Sequence, residues 1–500
     1  MAAAGEEPRT YGGWRPRRGL GLFGLSTGQT AAVLGAIAVL LVMLSVAPPA
    51  VLVLGPPLLV GTGLLIARWD GVPVTHLILR RWRWWWATGQ GWTRSRAGVL
   101  VDHPHAWDLP GVLAPLRLVT AADGLGGEFG LVWDRRTGLL TATLRVAATS
   151  IWLAGKDGEG WVANWGGWLA GLGLTPAVRH VAVTVDTAPE TGSRLREQLA
   201  QQVDPAAPPL ARALVDELVA VSPAAAADVE TRVSISFDPA LSPDRPRDLM
   251  EAAAEFGRLL TGLESSLGTC GVTVLGRVSA PGLAAAVRQA FDPAARGELR
   301  RLAATDPSAQ TGAGTLSWAQ AGPVAAEEAW DRYTHDSGVS VSWAWREAPL
   351  QAVRATVLAR LIAPGRDPKR VTLLYRPLSA AAAARVLEAE VSAAAVRALA
   401  QARTGRDTSA RDRADAERAA RAAREEAIGA GVVLMSLYVT VTVPAEQADE
   451  QLRRAVADVE SRAGMARIRL RRSYGAQAAG FAVGLPCGIS PPTLAGRWPH

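Results

Sequence analysis

From Gly19 to Ala67 the chain carries no charged residue and no histidine. A helix rises 1.5 Å per residue, so about 20 apolar residues span a bilayer's hydrocarbon core. The run is long enough for two passes. Ala47-Pro48-Pro49-Ala50 divides it, because consecutive prolines stop a helix and favour a turn. The expected helices therefore cover 30–47 and 51–67, with Gly55-Pro56-Pro57 kinking the second or delaying its start. Ser26-Thr27-Gly28-Gln29 reads as a capping box with Ser26 as the N-cap.

The flanks set the topology. Arg9, Arg15, Arg17 and Arg18 precede the first apolar half, and Arg68, Arg80, Arg81 and Arg83 follow the second. Positive charge stays on the cytoplasmic side. The pattern predicts a basic cytoplasmic tail over 1–18 and a transmembrane helical hairpin over 19–68. Both termini are then cytoplasmic and the chain is multi-pass in the inner membrane. A cleaved signal peptide fits less well, since the apolar region is long and continues at once into a second segment.

After the apolar run comes LILRRWRWWWATGQGW, Leu77 to Trp92, with five tryptophans and three arginines. Such a stretch suits stacking on single-stranded nucleic acid, packing against a partner helix or the folded body, or a membrane edge. The net charge of +7 helps to choose. Residues 1–96 hold ten arginines against Glu6, Glu7 and Asp70, and the remaining 404 residues are balanced at 43 basic and 43 acidic. The basic excess is confined to the N-terminal fifth, which argues against a basic body tracking a phosphate backbone. Tryptophan favours the membrane–water interface, where its ring is apolar and its N–H stays wet. Residues 69–97 are therefore expected to form a juxtamembrane amphipathic segment. Its interface residues are Arg68, Trp69, Arg80, Arg81, Trp82, Arg83, Trp84, Trp85 and Trp86, with the arginines meeting anionic lipid headgroups.

From about residue 97 strand patterns alternate with Ala-rich helical ones. Residues 128–132 and 139–146 flank Trp133-Asp134-Arg135-Arg136-Thr137-Gly138, a hairpin turn ending in Gly. Strands are expected at 179–186, 232–237 and 272–278, and helices at 191–200, 210–221, 247–267 and 281–291. The second half repeats the grammar. It has strands at 339–345, 370–376, 432–443 and 466–472, and helices at 351–362, 380–402 and 446–463. The expected class is α+β, a cytoplasmic body of two ferredoxin-like (split βαβ) halves over 98–325 and 326–500. A polar helical arm at about 403–428 interrupts the second half, and its mixed charges suit a solvated face.

No motif brings chemistry with it. The only Gly-Lys pair is Gly155-Lys156, followed by Asp157 and lacking the phosphate-cradling loop, so there is no P-loop. Residues 124–130 are Gly-rich but precede a strand, as a tight turn does, and not as a dinucleotide site does. Gly24-Leu25-Ser26-Thr27-Gly28 matches a hydrolase elbow by letter, yet it leads into an apolar helix. Asp102-His103-Pro104-His105 offers possible metal ligands without a second ligand cluster, and reads as a loop. Tyr333-Thr334-His335-Asp336-Ser337 places nucleophile and base letters side by side, but adjacency is not triad geometry. Cys270 and Cys487 read as buried free thiols, too few for a disulfide framework. The expectation is a protein that is not an enzyme and holds no metal or cofactor.

Several stretches carry a resemblance: Tyr11-Gly12-Gly13-Trp14 with 19–28, the Arg/Trp stretch, 130–143 (GLVWDRRTGLLTAT), 371–377 and 478–485 (AAGFAVGL). Their order resembles the small inner-membrane subunit of bacterial type IV secretion (conjugation) systems, fused to the N-terminal domain of their secretion ATPase. More closely, the chain resembles a family of actinobacterial membrane proteins encoded with conjugation-type ATPases. In that ATPase a segment like 474–486 leads into a RecA-like motor, whereas here His500 follows fourteen residues later. The resemblance implies a non-catalytic platform. It would dock a separate cytoplasmic ATPase, contact other secretion-channel subunits and work as an oligomer within a complex. Direct contact with nucleic acid is disfavoured. The alternative is a membrane-tethered nucleic-acid binder of a DNA-transfer system.

Overall fold

The computed structural model describes residues 27–46, 48–69, 72–98, 101–122, 127–148, 157–189, 204, 207–221, 227–299, 316–347, 349, 351–403, 410–427 and 431–492. The basic tail, the Ser26 cap, the glycines at 124 and 126, Gly155-Lys156, the helix expected over 191–200 and the start of the polar arm lie outside them.

Two apolar helices come first, α1 (Thr27–Val46) and α2 (Pro48–Ile66). Within the first, Gly28–Val46 is long and apolar enough to cross a membrane, and none of it is buried against the protein. The Gln29 amide donates to the Leu65 carbonyl at 2.6 Å and accepts from Arg68 at 3.3 Å, so the start of α1 lies beside the end of α2. One expectation changes here. The start of α2 is not delayed: it begins at Pro48 and runs through Pro56 and Pro57. Proline suits the first turn of a helix, where its missing N–H would have had no intrahelical partner. A small antiparallel pair follows, β1 (Arg68–Trp69) with β2 (Val72–Pro73). Then come α3 (Val74–Gly89) and the short strand β3 (Arg94–Arg96).

The body is mixed α and β around one large antiparallel sheet. Its first run is β4 (Leu116–Ala122), β5 (Glu128–Asp134), β6 (Leu140–Ala148), α4 (Asp157–Gly171), β7 (Val178–Pro189), α5 (Pro209–Val221), β8 (Ala227–Phe237), α6 (Leu249–Leu267), β9 (Val272–Arg277) and α7 (Ala280–Phe291). The second is β10 (Ala325–Glu328), β11 (Tyr333–His335), β12 (Gly338–Glu347), β13 (Lys369–Pro377), α8 (Ala380–Arg403), α9 (Ala410–Ala427), β14 (Val433–Pro444), α10 (Ala448–Met465), β15 (Arg469–Arg472) and α11 (Gln477–Val483). The strand order is β3-β10-β11-β12-β14-β13-β7-β8-β6-β5-β4, with β15 also beside β12 and β9 beside β6.

That order contains a repeat. In the first run the order is β7-β8-β6-β9, and in the second it is β13-β14-β12-β15. Each run also has an antiparallel hairpin, β4–β5 or β10–β11, on the outer side of its first long strand. The equivalent strands β7 and β13 pair antiparallel with each other, so the sheet crosses from one run to the other without a gap. At that join Thr184 pairs with Thr372, and their hydroxyls are 3.0 Å apart.

Alternation along the strands builds two unlike faces. One face is apolar. Leu140, Leu144, Val181, Val233 and Ile235 pack with Phe256 and Leu260 of α6, and Val339, Val341, Val439 and Val441 pack with Ala455 and Val459 of α10. The other is lined by cross-strand hydroxyl pairs: Thr141–Ser236, Thr143–Ser234, Ser342–Thr440 and Ser340–Thr442, all between 2.8 and 2.9 Å. Pairing satisfies groups that burial would otherwise penalise. Over this polar face lie α7 and the segment from α11 to Ser490, whose own apolar side chains form a third core with Leu283, Val287, Phe291, Phe481 and Val483. The segment lies close because glycines face the sheet. A Cβ on Gly480 would fall 2.8 Å from that of Ser342, and one on Gly488 (φ +66°) only 2.0 Å from the Thr141 hydroxyl.

Three local expectations are revised. The helix expected over 351–362 shrinks to a 3-10 turn, Ala355–Leu358, and Ala359–Ile362, because the chain ahead of it turns Val353 into the core. The closing strand is shortened to Arg469–Arg472, since Arg467 takes a left-handed φ of +57°. The polar arm forms α9 as expected, yet it packs on α8 with Ala419 and Asp415 buried, so it is not solvated all round. Helix α4 and strand β4 add to the elements expected from the sequence. Cys270 and Cys487 are free and buried, as expected.

Candidate membrane-interface collar

Helix α3 is preceded by Pro73 at its N-cap, whose φ of −54° already suits a helix, and is followed by Gln90 at its C-cap and Gly91 at φ +75°. Proline supplies the entry and glycine the left-handed exit. Leu77, Arg80, Trp84 and Ala87 recur at three and four residues and are the half-buried positions from Leu77 onward. This stripe faces the body. The opposite side leaves Ile78, Leu79, Trp82, Trp85 and Trp86 exposed, with Trp85 at 68%.

The stripe is held by aromatic rings from far along the chain. Trp84 meets Trp330 edge-on with ring centroids 5.4 Å apart, and Trp330 stacks on Tyr474 at 6.1 Å. The Arg81 guanidinium lies 4.6 Å from the Trp330 ring centre and 5.0 Å from that of Trp84, and Arg80 lies 5.7 Å from Trp330. Edge-to-face rings and cation–π contacts each contribute about 0.5–1.5 kcal/mol beyond area burial. Trp330 sits in the turn between β10 and β11, and Gly475 makes room for it. A Cβ there would fall 2.5 Å from the indole, and the Gly475 N–H donates to the Trp330 carbonyl at 2.7 Å. Four residues beyond Gln90 the chain enters the sheet as β3, paired with β10 through Ala325↔Arg96 and Glu327↔Arg94.

The nine expected interface residues thus divide three ways. Trp84 and Arg80 turn onto the body, the alternative that the sequence had left open. Arg68, Trp69, Trp82, Arg83, Trp85 and Trp86 are exposed, Trp69 at 74%. Arg81 is largely exposed yet anchored over two indoles. Beside them runs a groove of about 850 Å³, lined from α3, β1, β2 and the body, whose body side includes Trp330, Arg471 and Tyr474. Burial, and then the neighbouring Arg471 charge, hold the Arg80 guanidinium below its ordinary pKa. Its Nε and the Trp84 Nε1 are buried without a hydrogen-bond partner. Nothing in the sequence points to Trp330 or Arg471 as parts of this site, because only the β10–β11 turn and β15 bring them there.

The other candidates resolve differently. His103 and His105 have rings 5.4 Å apart, but His105 is spent on Asp108 at 2.9 Å, and Asp108 also pairs with Arg117. Among the described residues no group of three His, Cys, Asp or Glu is placed to hold a metal. His335 is wholly buried between the Phe291 carbonyl and the Ser340 hydroxyl, while Ser337 bonds Asp292. Tyr333, His335 and Ser337 therefore do not form a triad. On the sheet's polar face a charge cluster is buried at the join of the two runs. Asp186 pairs with Arg232 and Arg296, each at 3.5 Å. Burial alone would raise the Asp186 pKa, yet Arg296, Arg232 and Arg370 together hold it below the ordinary value. Arg370 lies over the Phe481 ring at 4.4 Å, and burial brings its pKa down to about 10.

No protein-family model matches the chain, and no curated protein matches it.

Proposed function

We propose that this protein is a non-catalytic, inner-membrane scaffold of a type IV secretion or conjugation-like machine, anchoring and docking a separate cytoplasmic secretion ATPase. In this reading α1 and α2 form a transmembrane hairpin over 19–68, with both termini cytoplasmic and residues 69–97 as the collar at the bilayer surface. The body is two ferredoxin-like halves over 98–325 and 326–500, a reading that the repeated strand order supports. Its partners are the ATPase, other channel subunits, further copies within the complex and anionic lipid.

One observation carries the proposal: the apolar helices lead into the sheet through α3 and β3, with a turn of four residues between those two, and Trp84 is locked onto Trp330. A flexible linker would let a tethered body diffuse. A stiff collar fixes the body's height and orientation, which is what a docking platform needs. The exposed Trp82, Trp85 and Trp86 also suit base stacking, which favours the second reading, a membrane-tethered nucleic-acid binder.

Detergent-extracted full-length chain is expected to co-purify with an ATPase encoded beside it. Its affinity for single-stranded DNA should stay at the weak, salt-sensitive level of any basic segment. Recovery of the folded chain without an ATPase, or tight DNA binding that survives physiological salt, would sink the scaffold reading.

A further inference from the structure

The groove beside α3 has two unlike ends. Trp69, Ile78, Trp82 and Trp85 make an apolar wall, continuous with the end of α2 through β1. Arg80, Arg81 and Arg471 make a basic end, and the described lining contains no Asp or Glu. Arg80 and Arg471 come from elements far apart in sequence and stand close enough to repel. The Arg80 Nε is buried and points at no acceptor. Like charges held together across a groove whose described lining holds no carboxylate leave room for an anion. The apolar wall selects one with a hydrocarbon tail.

The geometry points to a binding site for a single anionic phospholipid, its phosphate between Arg80 and Arg471 and an acyl chain along Trp82 and Trp85. This rests on the membrane-anchor reading above. It goes further by assigning a discrete, stoichiometric lipid in place of general attraction to headgroups. Arg81, fixed over Trp84 and Trp330, supplies a third positive charge at the rim. The lipid would complete the contact between collar and body, because Arg80 lines the groove from α3 and Arg471 lines it from β15.

The test uses full-length chain in zwitterionic micelles, titrated with phosphatidylglycerol, with phosphatidylcholine of the same acyl chains, or with inorganic phosphate, and read by native mass spectrometry. One phosphatidylglycerol per chain is expected to remain bound, with a preference over phosphatidylcholine of about tenfold or more, the scale of charge-assisted hydrogen bonds. Arg80→Gln and Arg471→Gln should each cut that preference by about tenfold, while Arg94→Gln, on the edge strand, leaves it unchanged. The headgroup preference of the unsubstituted chain needs no variant to fold. Equal retention of the two lipids, loss of phosphatidylglycerol to equimolar phosphate, or indifference to both groove substitutions would overturn the site. Carbonate extraction of the cell membranes from which the chain is purified separates the two failures. A chain released by carbonate removes the anchor reading as well, whereas a chain that stays but shows no headgroup preference removes the lipid site alone.

Discussion

The indole of Trp84 meets the indole of Trp330 edge-on, with ring planes at 71°. One ring belongs to the helix that follows the apolar pair, the other to the turn between β10 and β11. Removing either should free the collar. In Trp330→Ala, amide hydrogen exchange along α3 is expected to rise roughly tenfold, matching about 1.4 kcal/mol of lost ring contact. Protection in β7 and β13 should not change. Unaltered exchange in α3 would mean that β3 pairing alone holds the helix.

The exposed tryptophans should act on the bilayer and not on the fold. Trp82→Ser, Trp85→Ser and Trp86→Ser combined are expected to remove a large part of the fluorescence quenching by brominated lipids. The melting temperature of the body should move by no more than a degree or two. A collapse of the body's melt in this variant would show that these rings pack against protein.

Asp186 is the carboxylate shared by Arg232 and Arg296, with Arg370 close by. Asp186→Asn leaves Arg296 to Asp228 at 3.0 Å, Arg232 to Glu230 at 3.6 Å, and Arg370 without its nearby carboxylate, a loss of about 3 kcal/mol. Urea unfolding of the detergent-solubilised chain measures it. A loss below about 1 kcal/mol would mean that Asp228 and Glu230 suffice to balance the cluster.

His180 and His335 are buried neutral, and burial takes each from the ordinary 6.5 to about 4. The unfolded chain takes up protons at these residues near pH 6.5, whereas the folded chain does so only near pH 4. Their contribution is therefore complete above pH 6.5 and is lost as pH falls from 6.5 to 4. Melting temperature should fall as pH is lowered through that window, and this dependence should flatten in His335→Gln even though that variant starts lower. An unchanged slope would assign the acid sensitivity to other groups.

Two glycines with left-handed φ should respond very differently to alanine. Gly138 (φ +76°) has nothing within 4 Å of its would-be Cβ, so Gly138→Ala should cost about 1 kcal/mol from backbone strain alone. Gly488→Ala adds a clash with Thr141 and Ser236 and should cost about 3 kcal/mol. Equal losses would show that the C-terminal segment lifts easily from the sheet.

Much of the architecture was legible because it is written in local periodicity. The 12-residue strand Val433–Pro444 and the 19-residue helix Leu249–Leu267 alternate or recur strongly enough to be read directly. Helix α4 is hard to read locally because Gly158 and Gly160 precede Trp161, and Gly166-Gly167 separate Trp165 from Trp168, weakening the helical pattern. Of the collar, the sequence displayed one wall only.

The sequence by itself determined what depends on composition and spacing: an uncharged apolar run long enough for two helices, a basic excess confined to one segment, and two runs with the same alternation of elements. Only the tertiary structure decided how those parts meet. That β7 pairs with β13, that the C-terminal segment lies on a face of hydroxyls, and that Trp84 and Arg80 turn inward to Trp330 and Arg471 all depend on strand order. Strand order follows from summed burial and hydrogen bonding across the whole sheet. No stretch of chain carries that information alone, since each edge could have paired with several others of similar pattern.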